Sequence, residues 1–333
     1  MSSATTTNAR TTPSLTAATK KVYDLVIVMP VYEDREAAGQ LFRALHAQYG
    51  TSIFVVAVDD GSLRNHINAD HLDEIGLPGV VIHLRRNVGH QRAISIGLHY
   101  VAEHFPNAPC TVVMDSDGED LPSTIPQLIA PLESDEIDAV VAQRKSRMET
   151  MHFKLFYVLY KFLFRILTGR KINFGNFVAL KPAAVRRLTS MQELWTHLAG
   201  CVLLSKLRTQ TESIDRGSRY AGKSKMNFTG LALHGFRAVM IFAEDVLVRV
   251  GIVSALVAAL SIAAGLVATV LKVIGFATPG WFSVSIGILL IVFLQTGALT
   301  LVALMLGGVM RGGAESPQQY RNYIDQISYT KSL

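Results

Sequence analysis

Apolar and polar positions alternate along this chain in blocks of two periods. Five short apolar runs, rich in β-branched residues, read as strands: 22–29 (VYDLVIVM), 52–58 (SIFVVAV), 79–84, 110–114 and 139–142. Between them lie stretches with helical spacing. Residues 36–49 place Leu41, Phe42 and Leu45 on one face, 92–105 follow the same period, and 122–132 carry a proline near the first turn. Strand, helix, strand alternation predicts an α/β domain around a mostly parallel sheet. In such sheets ligands bind beyond the carboxyl ends of the strands. The polar clusters fall at those ends: Pro30-Val31-Tyr32-Glu33-Asp34, Asp59-Asp60-Gly61-Ser62, Arg85 to Gln91, Asp115 to Asp120, and Gln143-Arg144-Lys145.

The pattern then changes. Residues 144–171 mix cations with aromatic rings, which suits either a helix at a membrane surface or one packed on the sheet with a solvated basic face. Residues 172–210 return to mixed sequence, and 216–225 form a basic, glycine-containing loop suited to anionic groups. Residues 228–249 read as an interfacial amphipathic helix. Two long apolar runs follow, about 250–272 and 282–310, each sufficient to span a bilayer, for which about 20 residues are needed. Arg237, Arg249 and Arg311 outside the runs, against Lys272 between them, put both ends on the cytoplasmic side. The expected division is a disordered tail at 1–20, a catalytic domain at 21–227, the interfacial helix, the transmembrane pair within 250–310, and a cytoplasmic tail at 311–333.

Composition agrees with a concentrated apolar part. Half of the 333 residues are hydrophobic and 17% are charged. The net charge of +6 and a pI near 9.3 suit anionic lipid or phosphorylated substrates. Outside 144–171, no basic run interleaved with aromatics suggests a nucleic-acid groove. Cys110 and Cys201 have neither metal spacing nor a disulfide framework, and read as buried small apolar residues. No Gly-x-Gly-x-x-Gly follows the first strand, and there is no Gly-Lys-Ser/Thr P-loop.

The sharpest chemistry lies at Asp115-Ser116-Asp117. An apolar strand ends there, and both carboxylates can turn toward one divalent cation. Mg²⁺ and Mn²⁺ take carboxylate oxygens and commonly bridge them to substrate phosphates.

The ordered series PVYED, VDDGS, LRRNVGHQRAISIGL, MDSDGEDLP and RYAGKSK, then two apolar runs, resembles family 2 glycosyltransferases of the GT-A fold. Within them it is similar to the polyisoprenyl-phosphate glycosyltransferases, over about residues 22–310. The resemblance implies that Pro30, Tyr32, Asp34, Val58 and Asp60 line a nucleotide pocket. It implies that Asp115 and Asp117, with Ser116 between them, hold Mg²⁺ or Mn²⁺ on the nucleotide diphosphate. It places Arg144 beside the nucleotide sugar, and Arg216, Arg219, Lys223 and Lys225 on phosphates of the acceptor. The chain departs from the family in three places. Glu33-Asp34 stands for the usual Asn-Glu. Glu119 replaces a neutral Gln and adds negative charge near the metal. Asn176 stands where many relatives carry an Asp, a candidate general base, and is expected to position the acceptor or sugar instead.

The expected activity is inverting transfer of a sugar from a UDP- or GDP-linked donor to a polyprenyl phosphate, undecaprenyl in a bacterium, at the cytoplasmic face of the plasma membrane. Gly251, Ala255 and Ala259 permit packing between copies in a homo-oligomer. Two rivals stand beside this reading. A processive polysaccharide synthase usually carries Gln-x-x-Arg-Trp and more spans, whereas this chain has Gln192-Glu193-Leu194-Trp195. An inert membrane scaffold would retain the fold without the transfer.

Overall fold

The computed structural model describes residues 23–144, 162–170, 174–221, 235, 237–276, 280–312 and 317–331. They fall into two units. One comprises Met1–Met148, Asn173–Asn227 and Ser316–Leu333, the other Glu149–Ile172 and Phe228–Glu315. The expected tail at 1–20 lies outside the described residues.

The first unit is built on a mixed, mostly parallel sheet. Its strands are β1 (Leu25–Val31), β2 (Ile53–Asp59), β3 (Gly79–Leu84), β4 (Thr111–Val113), β5 (Ala139–Arg144), β6 (Val178–Leu180), β7 (Thr209–Ile214) and β8 (Ile324–Tyr329). Their order across the sheet is β7-β5-β6-β4-β1-β2-β3-β8. β1 pairs in parallel with β2 and β4, β2 with β3, and β5 with β7. All five expected strands are present. The fifth does not extend the parallel set, because antiparallel β6 lies between β4 and β5.

β1 is buried along its whole length, as a strand covered on both faces must be. It nonetheless contains Pro30. Val26 N–H points to β4, donating to the Cys110 carbonyl at 3.0 Å. By the two-residue period the missing N–H of Pro30 would point the same way. The β4 ladder reaches only Val28, so no ladder bond is lost. Two helices that launch from strand ends are α1 (Arg35–Tyr49) and α3 (His90–His104), with the single turn α2 (Asp70–Asp73) between them in sequence. α1 buries Leu41, Phe42 and Leu45, the face expected from spacing. α3 buries Gln91 and the nine consecutive residues from Ala93 to Val101. It approaches β1 and β2 closely because Gly97 has no side chain. A Cβ there would stand 2.5 Å from Val28 Cγ1 and 3.2 Å from Val58 Cγ2.

Two strands carry little apolar signal. β7 reads TQTESI with only Ile214 fully buried. β8 lies in the segment expected to be a tail. It instead pairs antiparallel with β3, because Ile327 and Tyr329 pack on the core. Its approach is fixed by Tyr320 and Arg321, both bonded to Glu103, and by Thr330 N–H to the Gly79 carbonyl at 3.1 Å. Both cysteines are buried and free, as expected, and burial pushes the Cys110 thiol up to about 12.

The second unit contains two long helices, Ala243–Val273 and Trp281–Gly312. Both are long and apolar enough to cross a membrane, and almost none of either apolar stretch is buried. The first helix starts at Ala243 and runs unbroken through Arg249 into the apolar run. The end of the expected interfacial segment and the first apolar run are therefore one continuous helix there, with Gly251 inside it; much of 228–242 lies outside the described residues. Residues 162–168 form a short helix in this same unit. Arg249 donates to the Ile166 carbonyl at 3.2 Å, Arg170 lies 5.0 Å over the Phe242 ring, and Phe162, Leu163 and Ile166 stay exposed.

Gly97→Ala is expected to destabilise the protein by about 1–3 kcal/mol through overpacking. Gly39→Ala, on α1 with open space around it, is expected to stabilise by about 0.5–1 kcal/mol. Chemical denaturation in detergent reads both, and equal shifts would refute the close-approach account.

Candidate active site

The carboxyl ends of β1, β2, β3 and β4 open on one edge, and acids crowd it. Loss of solvent and mutual repulsion would destabilise such a cluster unless each carboxylate finds donors. Backbone amides of neighbouring loops supply most of them. Glu33 follows β1 with φ of +47°, a conformation uncomfortable for a side chain of its kind. Its carboxylate accepts from Leu63, Arg64 and Asn65 N–H at 2.7, 3.1 and 2.9 Å, and its own N–H donates to Ser62 Oγ at 2.8 Å. Glu33 thus fastens the β1 loop to the β2 loop, and Tyr32 beside it is 44% exposed at the mouth of the edge.

Asp59 and Asp60 end β2, both buried. Asp59 accepts from Ser62 and Ile67 N–H at 3.0 and 3.2 Å. Asp60 accepts from Val88 and Gly89 N–H at 2.7 and 3.0 Å. It holds the turn that launches α3. Burial pushes its carboxyl up to about 6, against the pull of those two N–H groups and of His90. Gly61, at φ +68°, is required because a Cβ would run into the backbone of Arg86 and Asn87. Pro30 and Val58 are buried register partners on β1 and β2.

The loop after β4 is closed by its own aspartates. Asp115 N–H donates to Asp120 Oδ2 at 3.0 Å, and Glu119 N–H to Asp117 Oδ1 at 3.0 Å. Ser116 is buried between them. The segment after β7 lies along this loop. Gly217 N–H donates to the Glu119 carbonyl and Tyr220 N–H to the Asp117 carbonyl, both at 2.9 Å. The Tyr220 ring covers Gly118, where any side chain would collide with it. Arg216 pairs with Glu119. Arg219 pairs with Asp34 at 2.8 Å and with Asp117 at 3.3 Å. The negative charge expected from Glu119 beside the metal is therefore neutralised by Arg216, which the β7 segment brings against it. Lys223 and Lys225 lie outside the described residues, and Arg144 closes β5.

A chain of amides reaches the same edge from the other side. Leu198 N–H donates to Gln91 Oε1 at 2.7 Å. A backbone N–H can only donate, so the Gln91 amide nitrogen faces Asn176 Oδ1, at 3.0 Å. That leaves Asn176 Nδ2 facing His90 Nε2, at 2.9 Å. His90 Nε2 also lies 3.2 Å from Asp115 Oδ1. Loss of solvent opposes charge on the ring, but Asp115, Asp60 and Asp117 outweigh it and hold the His90 pKa above its ordinary value. Asn176 is thus placed at the edge, bonded to Gln91 and, when His90 Nε2 carries no proton, to His90, two residues that the sequence reading did not single out.

Residues 26–195 match the family described as Glycosyl transferase family 2, just over half of the chain. The chain belongs to that family. An uncharacterized glycosyltransferase of Bacillus subtilis (strain 168), YkoT, is 24% identical over 282 residues, 84% of this chain and 82% of that protein. The dodecaprenyl-phosphate galacturonate synthase of Rhizobium johnstonii is 26% identical over 136 residues, 39% of each. Among solved structures, glucosyl-3-phosphoglycerate synthase from Mycobacterium tuberculosis, in complex with Mn²⁺, UDP and phosphoglyceric acid, matches with a TM-score of 0.49 at 14% identity. That match covers 72% of this chain and 85% of that one.

This family 2 glycosyltransferase has the mixed, mostly parallel sheet of the GT-A fold expected from sequence. Whether its residues fit a divalent cation can be judged from the donors. Among the described residues no group of three or more His, Cys, Asp or Glu side chains is arranged to hold an ion. Asp115 and Asp117 supply hard carboxylate oxygens at one strand end. Mg²⁺ is usually held by one or two carboxylates together with substrate phosphates, so the pair fits an ion that arrives with a diphosphate.

His90, Gln91, Glu33 and Tyr220 are the site residues that sequence reasoning missed. His90 and Gln91 sat in a quoted strand-end motif, and that position was their signal. Tyr220 had no signal beyond its place among glycines and cations.

The Asp60 carboxyl titrates near 6 in the fold against an ordinary 3.8. A group whose pKa is raised by folding stabilises most at low pH and loses that contribution as pH rises through the folded value. Asp60→Asn removes the effect while retaining one acceptor. The stability of Asp60→Asn relative to wild type is expected to rise by about 2 kcal/mol between pH 4 and 7. Denaturation across that range checks it, and a difference independent of pH would contradict it.

Proposed function

We propose that this glycosyltransferase moves a sugar from a nucleoside diphosphate donor to a polyprenyl phosphate in a membrane, inverting the anomeric centre. The observation that carries the reading is the presence in one chain of a family 2 transfer unit and two exposed apolar helices of spanning length. The similarity to a dodecaprenyl-phosphate galacturonate synthase over part of the chain supports it. So do the exposed apolar residues Phe162, Leu163, Ile166 and Val248, which suit the interfacial region of a bilayer. The catalytic domain and both chain ends are assigned to the cytoplasmic side on the distribution of arginines.

The donor's diphosphate lies at the edge formed by the ends of β1, β2 and β4, with Tyr32 beside the nucleotide. Asp115 and Asp117 would hold Mg²⁺ or Mn²⁺, which neutralises charge on the leaving diphosphate. An oxygen of the acceptor phosphate forms a bond to the anomeric carbon. The bond from that carbon to the nucleoside diphosphate breaks, and its electron pair leaves with the diphosphate. The acceptor is already an anion near neutral pH, so the step requires no proton transfer to a base, unlike attack by a sugar hydroxyl. An asparagine at position 176 is compatible with this chemistry. Its task is alignment, and its bonds to Gln91 and His90 are what a positioning group needs. Arg216 and Arg219, with Lys223 and Lys225, supply cations for phosphate oxygens.

Radiolabelled UDP- and GDP-sugars, undecaprenyl phosphate and Mn²⁺ test the reading. Label extractable into organic solvent is expected, whereas label retained as polymer would favour a processive synthase. Asp117→Ala is expected to lower transfer by about 10²-fold or more, while Asn176→Asp remains active. Full activity in Asp117→Ala would overturn the metal-diphosphate assignment.

A further inference from the structure

Asp34 and Asp117 come from the ends of different strands, yet one guanidinium serves both. Arg219 Nη2 lies 2.8 Å from Asp34 Oδ2, and Nη1 lies 3.3 Å from Asp117 Oδ2. Its Nε donates to the Ala221 carbonyl at 3.1 Å. The three side chains are only 15–22% exposed, so the charges are less screened than a surface pair. The arginine is delivered there by its backbone, through the bonds of Gly217 and Tyr220 to the Asp117–Glu119 loop and the Tyr220 ring over Gly118.

A guanidinium against Asp117 already occupies the place of a cation. We propose that Arg219 is an exchangeable internal counter-ion. It neutralises Asp34 and Asp117 until a divalent ion arrives with a nucleoside diphosphate, and is then transferred from the carboxylates to phosphate oxygens. This deepens the reading of Asp115 and Asp117 given above and rests on it. Two cations facing one carboxylate oxygen repel each other, so the ion alone must compete with Arg219. A diphosphate removes the conflict, because it accepts the fork-shaped donor that the ion expels. Ion and nucleotide therefore reinforce each other's binding, and the coupling is reciprocal. Without the arginine, the acids of Asp34, Asp115 and Asp117 face the ion with less compensation, and the ion alone binds better.

Equilibrium dialysis of the full chain in detergent with Mn²⁺, alone and with UDP or GDP, measures this without any transfer assay. Wild type is expected to bind Mn²⁺ alone weakly and roughly tenfold or more tightly with nucleotide, a usual size of coupling between two sites. Arg219→Met is expected to bind Mn²⁺ alone about tenfold more tightly than wild type and to lose most of the nucleotide effect. Arg219→Lys, which keeps one charge but cannot fork, is expected to fall between them; circular dichroism confirms that each variant is folded. Arg219→Met with unchanged or weaker binding of Mn²⁺ alone overturns the exchange, even where wild type binds with nucleotide and Asp117→Asn does not. Absence of Mn²⁺ binding in wild type with either nucleotide, and in Arg219→Met, overturns the underlying reading as well.

Discussion

Crowding of like charge at one edge of a parallel sheet is the constraint on which this molecule's active face depends. Parallel strands bring their carboxyl ends together, and here β1, β2 and β4 each run into acids. The carboxylates solve the problem for one another's loops. Glu33 from the first loop takes three amides of the second. Asp60 from the second takes two amides at the start of α3. Asp117 and Asp120 close their own turn. Hydrogen bonds to an ionised acceptor are stronger than neutral ones, so neutralising the acids and placing the loops are one interaction. The charges left over are met by Arg216 and Arg219, which arrive from beyond β7.

This explains why some residues with a binding role in the family's pattern have a structural one as well. Asp60 lines the edge, but both its oxygens are engaged with Val88 and Gly89. The positive φ of Glu33 is a backbone cost of about 1–3 kcal/mol, and three amide bonds offset it. The usual asparagine at that position tolerates the same conformation without such help. The departure at Glu33-Asp34 is therefore a different way of holding the same turn, with Asp34 left to face Arg219.

The central sheet was legible in the sequence because β1, β2, β3 and β4 are continuous apolar runs, and α1 and α3 showed their periods. The place of Asp115 and Asp117 at a strand end was legible for the same reason: a buried strand stops just before them. What could not be read depends on pairing over long separations. β6 is three residues inside NFVALKP, β7 alternates among polar residues, and β8 is specified by its fit against β3 more than by its own composition. The pairings Arg219 to Asp34 and Arg216 to Glu119 likewise required knowing that the β7 segment lies along the β4 loop. The link from Gln91 through Asn176 to His90 joins positions more than eighty apart in sequence.

Position in the chain gives β8 a further consequence. The apolar helices lie between residues of the sheet unit on both sides, so the hairpin is inserted into the fold rather than appended to it. β3 would otherwise be an edge strand with unpaired amides, a liability for pairing with other chains. The strand that covers it is made only after both apolar helices. Glu103 on α3, bonded by Tyr320 and Arg321, and His99, stacked 5.5 Å from Tyr320 and 5.2 Å from Trp195, then secure the returning segment on the helix that also begins with His90 and Gln91. The helix that carries the site's imidazole at one end is thus anchored at the other by residues from beyond the hairpin.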